Sequence, residues 1–444
     1  MQTVIRNPRN GCALHGAIQT IEEIRGVVPI VHSNAGCTIQ NYLANKASGL
    51  GNGYVSGASI PSTSVQERHV IFGGASRLRE QIKKTIKVVN GDLYLVLNSC
   101  ESAMVGDDIA AMTKEVVEQG EAVIDCLHAG FHGDSHYGYE NVVTDIIKKL
   151  PTVKKTEGEK EANLVNLFGI LPQKDIYFKG DLAEIKRILE GIGLKVNTFF
   201  GPQNGVEEFK NAPNAALNLV FSKWGIKPAE KLEELYGIPK LVFSSVPVGI
   251  KEVRDFVEKV AGSLNLQEET VNTFLQKEEE TFRYYFQGIA DSFFEEQVGK
   301  VIALVGDEST VLRIGTFVKE YLGAIIDVAV VTDGFPGEDG KIKKSEELKA
   351  LANEVYFTQD GREIDNILVH SDVELILGSS LEEGAAKKKE TVNLEISYPV
   401  YHKAILNKTY AGVNGALALT EDYISKVKEY NRLEEARLLQ ERRK

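Results

Sequence analysis

The strongest constraint on the fold of this chain is a repeated order of short apolar run, glycine-bearing turn and amphipathic stretch. "DLYLVLNSC" leads into "GDDIAAMTKEVVEQG", and "KVIALVGD" leads into "TVLRIGTFVKEYLG". Apolar runs of this length predict buried strands, and strands that alternate with helices predict βαβ units. We therefore predict an α/β protein of three doubly wound, Rossmann-like domains with parallel sheets. In such sheets, ligands bind beyond the carboxyl ends of the strands.

Two segments that interrupt this alternation divide the chain. Residues 151–164, "PTVKKTEGEKEANL", are charged and lack apolar periodicity, as linkers do, and residues 266–297 form a long helical pattern. A chain of 444 residues is also too long for one ordinary core. The predicted divisions are a first α/β domain with the clustered cysteines at 1–155, a second at 156–290, a third at 291–430 and a helical tail at 431–444.

Composition and charge exclude several classes of protein. The net charge of −12 argues against a general nucleic-acid binder, and the longest apolar runs are too short to cross a membrane. The opening "MQTVIRNPRN" lacks the apolar core of a signal peptide, and four cysteines do not suggest a secreted disulfide framework. We expect a cytoplasmic protein with no nucleic-acid or membrane partner. The stretch "GFPGEDGKIKKS" departs from P-loop spacing, so this chain is not expected to hydrolyse ATP.

Three of the four cysteines, Cys12, Cys37 and Cys100, lie where extended segments end. Gly11 and Gly36 directly precede two of them, and glycine lets the backbone approach a bulky ligand because it has no Cβ. Turns at one edge of a parallel sheet bring distant residues together, so the three thiolates are candidates for an iron–sulfur site. A complete cubane generally takes four protein ligands, so three imply an open site, a non-cysteine ligand or a second subunit. The alternative is three buried structural cysteines.

A second cysteine-containing segment offers a rival metal site. "CLHAGFHGDSH" places Cys126, His128, His132 and His136 within eleven residues, and cysteine with histidine suits zinc. The first two residues lie at a presumed strand end, whereas the last two flank a glycine turn. We therefore favour a loop that lines a pocket over a mononuclear metal site.

The order of motifs along the chain resembles nitrogenase component 1. The resemblance rests on "NPRNGCALHGA", "HSNAGC", "VQERHVIFGGASRLREQI", "NSCESAMVGDDI" and "AGFHGDSHYGYENV". It continues through "GDLAEIKRILEGIGL", "NAPNAALNLVFSKW" and "SYPVYHKAILNKTYAGVNGALAL". The later segments resemble the β-type subunits and their scaffold relatives more than the α-type subunits. The resemblance therefore covers nearly the whole chain.

This resemblance implies an assignment for the cysteines. Cys12, Cys37 and Cys100 match the three cysteines by which a β-type subunit holds its half of an 8Fe-7S P-type cluster. The resemblance further implies a homologous α-like partner in an α2β2 heterotetramer, with a FeMo-co-like cofactor bound in that partner. It also implies a dimeric iron protein that carries a 4Fe-4S cluster and uses the ATP.

Several positions depart from the family pattern. Where the family often has a serine that ligates the oxidised cluster, this chain has Asp134, with Ser135 next to it. We expect one of the two to approach the cluster, and the alternative is a hydrogen-bonding turn residue. No segment matches the α-type ligands of the active-site cofactor, although His402 lies near that region. The catalytic residues are therefore unassigned.

Two functions follow from the resemblance. One is an electron-relaying subunit of a nitrogenase-like reductase, and the other is a non-catalytic scaffold for cofactor assembly. The presence of all three cysteines favours the reductase. The lack of a long N-terminal extension and the divergent stretch "NKASGLGNGYVSGASIPSTS" indicate a branch outside the ordinary molybdenum enzymes. We expect a small, stable substrate such as a carbon–sulfur compound, with dinitrogen as the alternative.

Overall fold

The computed structural model describes residues 5–6, 8–48, 60–153, 159–334 and 345–442. Most of "NKASGLGNGYVSGASIPSTS" and nearly all of "GFPGEDGKIKKS" lie outside this described part. Among the described residues, no helix combines the length and the apolar character needed to span a membrane. The strands form three sheets in which every pairing is parallel, so the predicted α/β fold is confirmed.

The strands follow one another sheet by sheet along the chain. The first sheet has the order β1-β2-β3, the second β5-β4-β6-β7 and the third β10-β9-β8-β11-β12. The first comprises β1 (Val27–His32), β2 (Leu93–Asn98) and β3 (Val123–Cys126). The second comprises β4 (Leu164–Phe168), β5 (Lys195–Asn197), β6 (Leu217–Val220) and β7 (Lys240–Val242). The third comprises β8 (Val301–Gly306), β9 (Ile325–Val331), β10 (Glu354–Phe357), β11 (Leu375–Gly378) and β12 (Val392–Glu395).

Helices connect these strands. Those before β8 are α1 (Ala13–Glu22), α2 (Ala35–Ser48), α3 (Glu67–Phe72), α4 (Ala75–Val88), α5 (Cys100–Val105), α6 (Ile109–Val117), α7 (Ser135–Val153), α8 (Phe178–Gly191), α9 (Val206–Asn211), α10 (Ile226–Tyr236), α11 (Ile250–Leu264), α12 (Glu268–Phe286) and α13 (Ala290–Glu295). Those after it are α14 (Glu308–Leu322), α15 (Glu346–Leu351), α16 (Gly361–His370), α17 (Glu383–Lys388) and α18 (Gly412–Glu441).

The strands are apolar because helices cover both faces of the sheets. All six residues of β2 and all five of β4 are buried, as expected for parallel strands that do not meet water. In the first sheet, Ile30 and Val96 pack with Leu78 of α4 and Ile109 of α6 in one apolar cluster. Helices α1 and α7 also pack against strands of this sheet. The sheet therefore holds its carboxyl edge rigidly between two helical layers.

The described residues group into two compact units rather than into three. One unit comprises Asn10–Gln173 and Leu194–Phe243, with the first and second sheets, and the other comprises Met1–Arg9, Lys174–Gly193 and Ser244–Lys444, with the third sheet. Each sheet lies within one of the three predicted ranges, but the predicted boundaries themselves stay predictions. The predicted tail at 431–444 overlaps the second half of α18, a helix of 30 residues.

Packing explains why the compact units divide the chain in this way. Helix α8 lies between two strands of the second sheet in sequence, yet it packs on α18. Helix α11 packs on α12 and α18 through an apolar face that includes Val253, Phe256 and Val260. These contacts join segments far apart in the chain, and local periodicity gives no information about such partners.

A close contact between α1 and α7 determines where α1 begins. A Cβ on Gly16 of α1 would overlap the carbonyl oxygen of Ser135, and a Cβ on Gly138 of α7 would overlap that of Ala13. Only glycine allows the two backbones to approach this closely. The first residue before α1 is Cys12, so this contact positions one of the three cysteines.

We predict that Gly138→Ala lowers the free energy of unfolding of the unit that contains α1 and α7 by about 1–3 kcal/mol. The added methyl group must push the two helices apart. The measurement is denaturation followed by circular dichroism and by the fluorescence of Trp224, the chain's one tryptophan. The control is Gly262→Ala, at an exposed helical position where an added Cβ meets nothing within 4 Å. Equal denaturation midpoints for the two variants would contradict the close contact.

Candidate metal centre

All three clustered cysteines lie at helix starts. Cys12 is the N-cap of α1, Cys37 lies in the first turn of α2, and Cys100 is the first residue of α5. Unpaired amide groups at a helix start favour negative charge, including that of a thiolate. Helices α2 and α5 follow the paired strands β1 and β2, whose last residues lie side by side. The ends of β1 and β2 therefore bring the segments that carry two of these cysteines to one edge of the sheet.

Three hydrogen bonds fix α5 and the residue before it against the segment that leads to Cys37. The carbonyl oxygen of His32, at the end of β1, accepts hydrogen bonds from the Ser99 amide at 3.1 Å and the Ser102 hydroxyl at 3.0 Å. The Glu101 carboxylate accepts a hydrogen bond from the Asn34 amide at 2.5 Å. Cys100 lies between these residues in sequence, so the hydrogen bonds fix its position relative to β1.

The backbone of Gly130 lies close to two of the cysteine sulfurs. A Cβ on this residue would lie 2.9 Å from Cys12 Sγ and 3.0 Å from Cys100 Sγ. Such distances are too short for a side chain, so glycine keeps the space beside both sulfurs free. Gly130 follows β3, which pairs with β2, and thus reaches the same edge of the sheet as Cys100. The sulfurs of Cys12 and Cys100 therefore converge on one backbone position.

The third thiol lies within electrostatic range of the other two. Burial raises the pKa of Cys37 to about 11, and the charges of Glu101, Cys12 and Cys100 contribute to the rise. Charges influence one another at such strength only at short range. Three neighbouring thiolates repel one another, and a cationic metal group would relieve that repulsion. The electrostatics thus favour a metal as the group that would hold all three in the ionised form.

His15 connects two of the cysteine-bearing segments. Its Nδ1 lies 3.2 Å from Cys12 Sγ, and its Nε2 lies 3.2 Å from the carbonyl oxygen of Cys37. Because a carbonyl only accepts, Nε2 carries a proton, and a second proton on Nδ1 lets the imidazolium donate a hydrogen bond to a Cys12 thiolate. Burial would raise the pKa of Cys12, but the hydrogen bond and charge of His15 outweigh it and lower that pKa. His15 therefore favours the thiolate form of Cys12.

The donor set fits one side of an iron–sulfur cluster. Cys12, Cys37 and Cys100 are free and half-buried, so the sulfurs lie at the margin of the compact unit rather than inside its core. Three thiols, two of them beside Gly130, match the ligand type such clusters require. Three ligands at an open margin also match a group that is completed from a second chain.

Asp134 and Ser135 differ in how they are held. The Asp134 carboxylate accepts hydrogen bonds from the amides of His136 at 3.0 Å and Tyr137 at 3.4 Å, and the Asn10 side-chain amide lies 3.3 Å away. The Asp134 backbone also pairs with Cys12. The Ser135 hydroxyl is buried and has no hydrogen-bond partner among the described residues. Asp134 thus has the contacts of a turn residue at the start of α7, close to the cysteine site.

The two glycines expected to make room for a ligand each lie close to another side chain. A Cβ on Gly11 would lie 3.1 Å from His15 Cβ, and a Cβ on Gly36 would lie 2.9 Å from Asn34 Oδ1. Their ligand-binding role stays a prediction. The glycine beside the sulfurs is Gly130, which sequence reasoning did not select. The letters "HAG" lie at the end of a predicted strand, but nothing in the sequence shows which residues Gly130 contacts.

The rival segment contributes a different group of side chains. Cys126, His128 and Asp145 each offer one ligand atom, and these atoms lie within 4.8 Å of one another. His132 and His136 do not join them. His136 instead hydrogen-bonds to Asp134 at 3.0 Å and stacks on Trp224. Asp145 was missed because it lies on α7, almost twenty residues after Cys126.

Similarity to known proteins extends over nearly the whole chain. The family described as nitrogenase component 1 type oxidoreductase matches residues 12–428. The nitrogenase molybdenum-iron protein beta chain of Methanococcus maripaludis is 24% identical, with 95% of this chain and 94% of that protein covered. A chain of the light-independent protochlorophyllide reductase of Angiopteris evecta is 22% identical, with 77% and 68% covered.

The fold is also found in a solved structure. The structure described as "Nitrogenase Cp1 at pH 6.5" has a TM-score of 0.79 and 20% sequence identity, with 97% of this chain and 94% of that chain covered. At this identity the likeness shows the fold. The family match extends over most of the chain and begins at Cys12, the first of the three clustered cysteines. The chain therefore belongs to the nitrogenase component 1 type oxidoreductase family.

Proposed function

We propose that this chain is the β-like subunit of a nitrogenase-like oxidoreductase complex and holds half of an 8Fe-7S P-type cluster. The convergence of the Cys12 and Cys100 sulfurs on Gly130 supports this proposal most strongly. In this role the three thiolates would bind the iron from one side, and an α-like partner would supply the remaining thiolates. When bound, such a cluster supplies one-electron storage and transfer.

The residues around the cysteines have distinct roles in this proposal. His15 holds Cys12 in the ionised form through the contact of Nδ1 with the sulfur. Gly130 lets the backbone lie beside the sulfurs of Cys12 and Cys100, where any larger residue would push them aside. Glu101, held on the Asn34 amide, adds negative charge beside Cys37. That charge would favour the more oxidised, more positive states of a bound cluster.

Partner proteins are proposed from exposed apolar surface near the site. Val70, Ile71 and Phe72 on α3, here called the α3 patch, are 47%, 64% and 86% exposed. Helix α3 packs against α5, which begins at Cys100. Exposed apolar surface of this kind is typical of protein interfaces. Because electron transfer requires short distances, we assign the α3 patch to the ATP-dependent, dimeric iron protein with its 4Fe-4S cluster.

The substrate-reducing cofactor is proposed to lie in the α-like partner of an α2β2 heterotetramer. His402, which lies near the matching region of the sequence, is 57% exposed in its side chain and pairs with Glu383 at 3.1 Å. Such an exposed side chain is not in the environment of a buried cofactor ligand. A FeMo-co-like cofactor is therefore assigned to the partner, and the proposed substrate is a small, stable molecule such as a carbon–sulfur compound or dinitrogen.

The second candidate function is a non-catalytic scaffold for cofactor assembly. A scaffold would bind iron and sulfide transiently, whereas the proposed reductase turns over substrate. Assay of the reconstituted complex for ammonia, ethylene and methane separates the two functions. Robust ammonia formation would establish dinitrogen as the substrate instead of a carbon–sulfur compound, and no product with any substrate would favour the scaffold.

We predict that Cys100→Ala removes most of the cluster iron from the complex purified without oxygen, because two remaining thiolates cannot hold this half. Iron analysis and EPR of the reduced and oxidised complex provide the measurement. Cys126→Ala is the matched control, since this thiol does not belong to the three-cysteine site, and it should keep its iron. Full activity from an iron-free complex would contradict the proposal. The chain purified alone should lack the complete cluster.

We predict that Phe72→Glu lowers ATP-dependent turnover at limiting iron protein about tenfold, because a buried charge costs on the order of 1.4 kcal/mol or more at an apolar interface. The α-like partner should still copurify. Val88→Glu is the control, since Val88 is 82% exposed but lies at the far end of α4. Equal rates in the two variants, or turnover that persists without ATP, would contradict the assignment of the α3 patch.

We predict that Ser135→Ala or Asp134→Asn raises the potential at which the cluster is oxidised, because an alkoxide or carboxylate ligand favours oxidised iron. Ser135→Ala should not reduce stability, since it removes a buried hydroxyl without a partner. A shift in that variant would therefore report on the cluster rather than on folding. Redox titration by EPR is the measurement, and unchanged potentials in both variants would leave only the turn-residue interpretation.

A further inference from the structure

We propose that Cys126, His128 and Asp145 form a zinc site that is separate from the three-cysteine site. Each side chain offers one ligand atom, and the three atoms lie within 4.8 Å of one another. Zinc in proteins takes Cys sulfur, His nitrogen and carboxylate oxygen at about 2.0–2.3 Å in a tetrahedral arrangement. Such bond lengths separate the donor atoms by about 3.3–3.6 Å. The His128 Nε2 and Asp145 Oδ2 atoms, 3.2 Å apart, lie within about 0.1 Å of this spacing.

Rigid elements carry two of the three ligands. Cys126 is the last residue of β3, and Asp145 lies in the middle of α7, which packs directly against β3. His128 follows Cys126 by two residues and is held by its contact with Asp145. Little reorganisation would therefore be needed when a metal binds, which lowers the cost of forming the site.

The charges of the three ligands suit a divalent ion. A thiolate and a carboxylate together carry two negative charges, which a divalent cation neutralises, and the imidazole adds none. A neutral assembly avoids most of the penalty for burying charge, which matters because Cys126 is buried. The thiolate selects zinc over magnesium or calcium, which take oxygen ligands.

The site has room for a fourth ligand from solvent. The side chains of His128 and Asp145 are 26% and 15% exposed, whereas Cys126 is 1% exposed. Water therefore reaches one side of the cluster, and three protein ligands with one water form an open zinc site. Nearby, the Lys149 ammonium donates to the Asp125 carboxylate at 2.8 Å and to the Asp125 carbonyl oxygen at 2.7 Å. The positive charge of Lys149 is therefore paired with Asp125 beside the site. The bound ion would tie the end of β3 to α7.

The test is zinc content in the full chain purified without oxygen and equilibrated with Zn²⁺, then freed of loosely held metal by gel filtration. We expect about one zinc per chain, with X-ray absorption showing one sulfur at about 2.3 Å and nitrogen or oxygen at about 2.0 Å. Asp145→Asn and His128→Ala should each lose the zinc. These positions are partly exposed, so both variants are expected to fold, and circular dichroism verifies it.

The matched control is His132→Ala, which removes a histidine of the same segment that lies outside the group and should keep its zinc. Iron analysis makes this test independent of the proposed function. In the complex with the partner chain, Asp145→Asn should lose zinc and keep iron, whereas Cys100→Ala should lose iron and keep zinc. Absence of zinc from the unmodified chain, zinc held equally in Asp145→Asn, or a zinc spectrum without sulfur would each overturn the proposal.

Discussion

The parallel pairing of β1, β2 and β3 is the constraint on which the candidate site depends. His32 lies beside Asn98, and Leu97 lies beside Cys126, so the three strands end at one edge of one sheet. The chain then continues from each strand end into a segment that carries a residue of the candidate site. The segments that carry Cys37, Cys100 and Gly130 therefore start from one edge of the sheet, although these residues are separated by up to about ninety residues in sequence. Because both faces of this sheet are covered by helices, the edge that presents them is rigid.

The contact of α1 with α7 adds the remaining cysteine to this edge. Gly16 and Gly138 let the two helix backbones touch, and the Ala13 amide donates a hydrogen bond to the Gly133 carbonyl oxygen at 2.9 Å. Cys12 therefore sits next to the segment that contains Gly130. The same segment begins at Cys126, so the proposed zinc site and the three-cysteine site lie at opposite ends of one short connection. Each site has its own thiols, which is why the two metals can be tested separately.

Local signals predicted the parts of this structure that depend on local physics. Apolar runs that break at small polar residues predicted the strand ends at which Cys37 and Cys100 follow, and the resulting α/β fold is confirmed. Gly130, His15 and Asp145 were missed because their importance arises from contacts with residues that no periodicity connects to them. The packing of α8 on α18 could not be predicted from the sequence either. An amphipathic face indicates that a helix is buried on one side, but it does not identify the element that covers that side. The roles of Gly11, Gly36, Asp134 and Ser135 stay predictions.

The three-cysteine site combines features that are individually weak and collectively informative. Helix starts, the His15 contact and the glycine beside the sulfurs each favour thiolates that bind a bulky cationic group, and the half-open margin favours a second chain. The most direct test is anomalous scattering at the iron edge from crystals of the complex purified without oxygen. We expect a multi-iron peak bounded by the sulfurs of Cys12, Cys37 and Cys100, with its far side against the partner chain. Iron located elsewhere, with these three thiols unligated, would contradict the proposed cluster site.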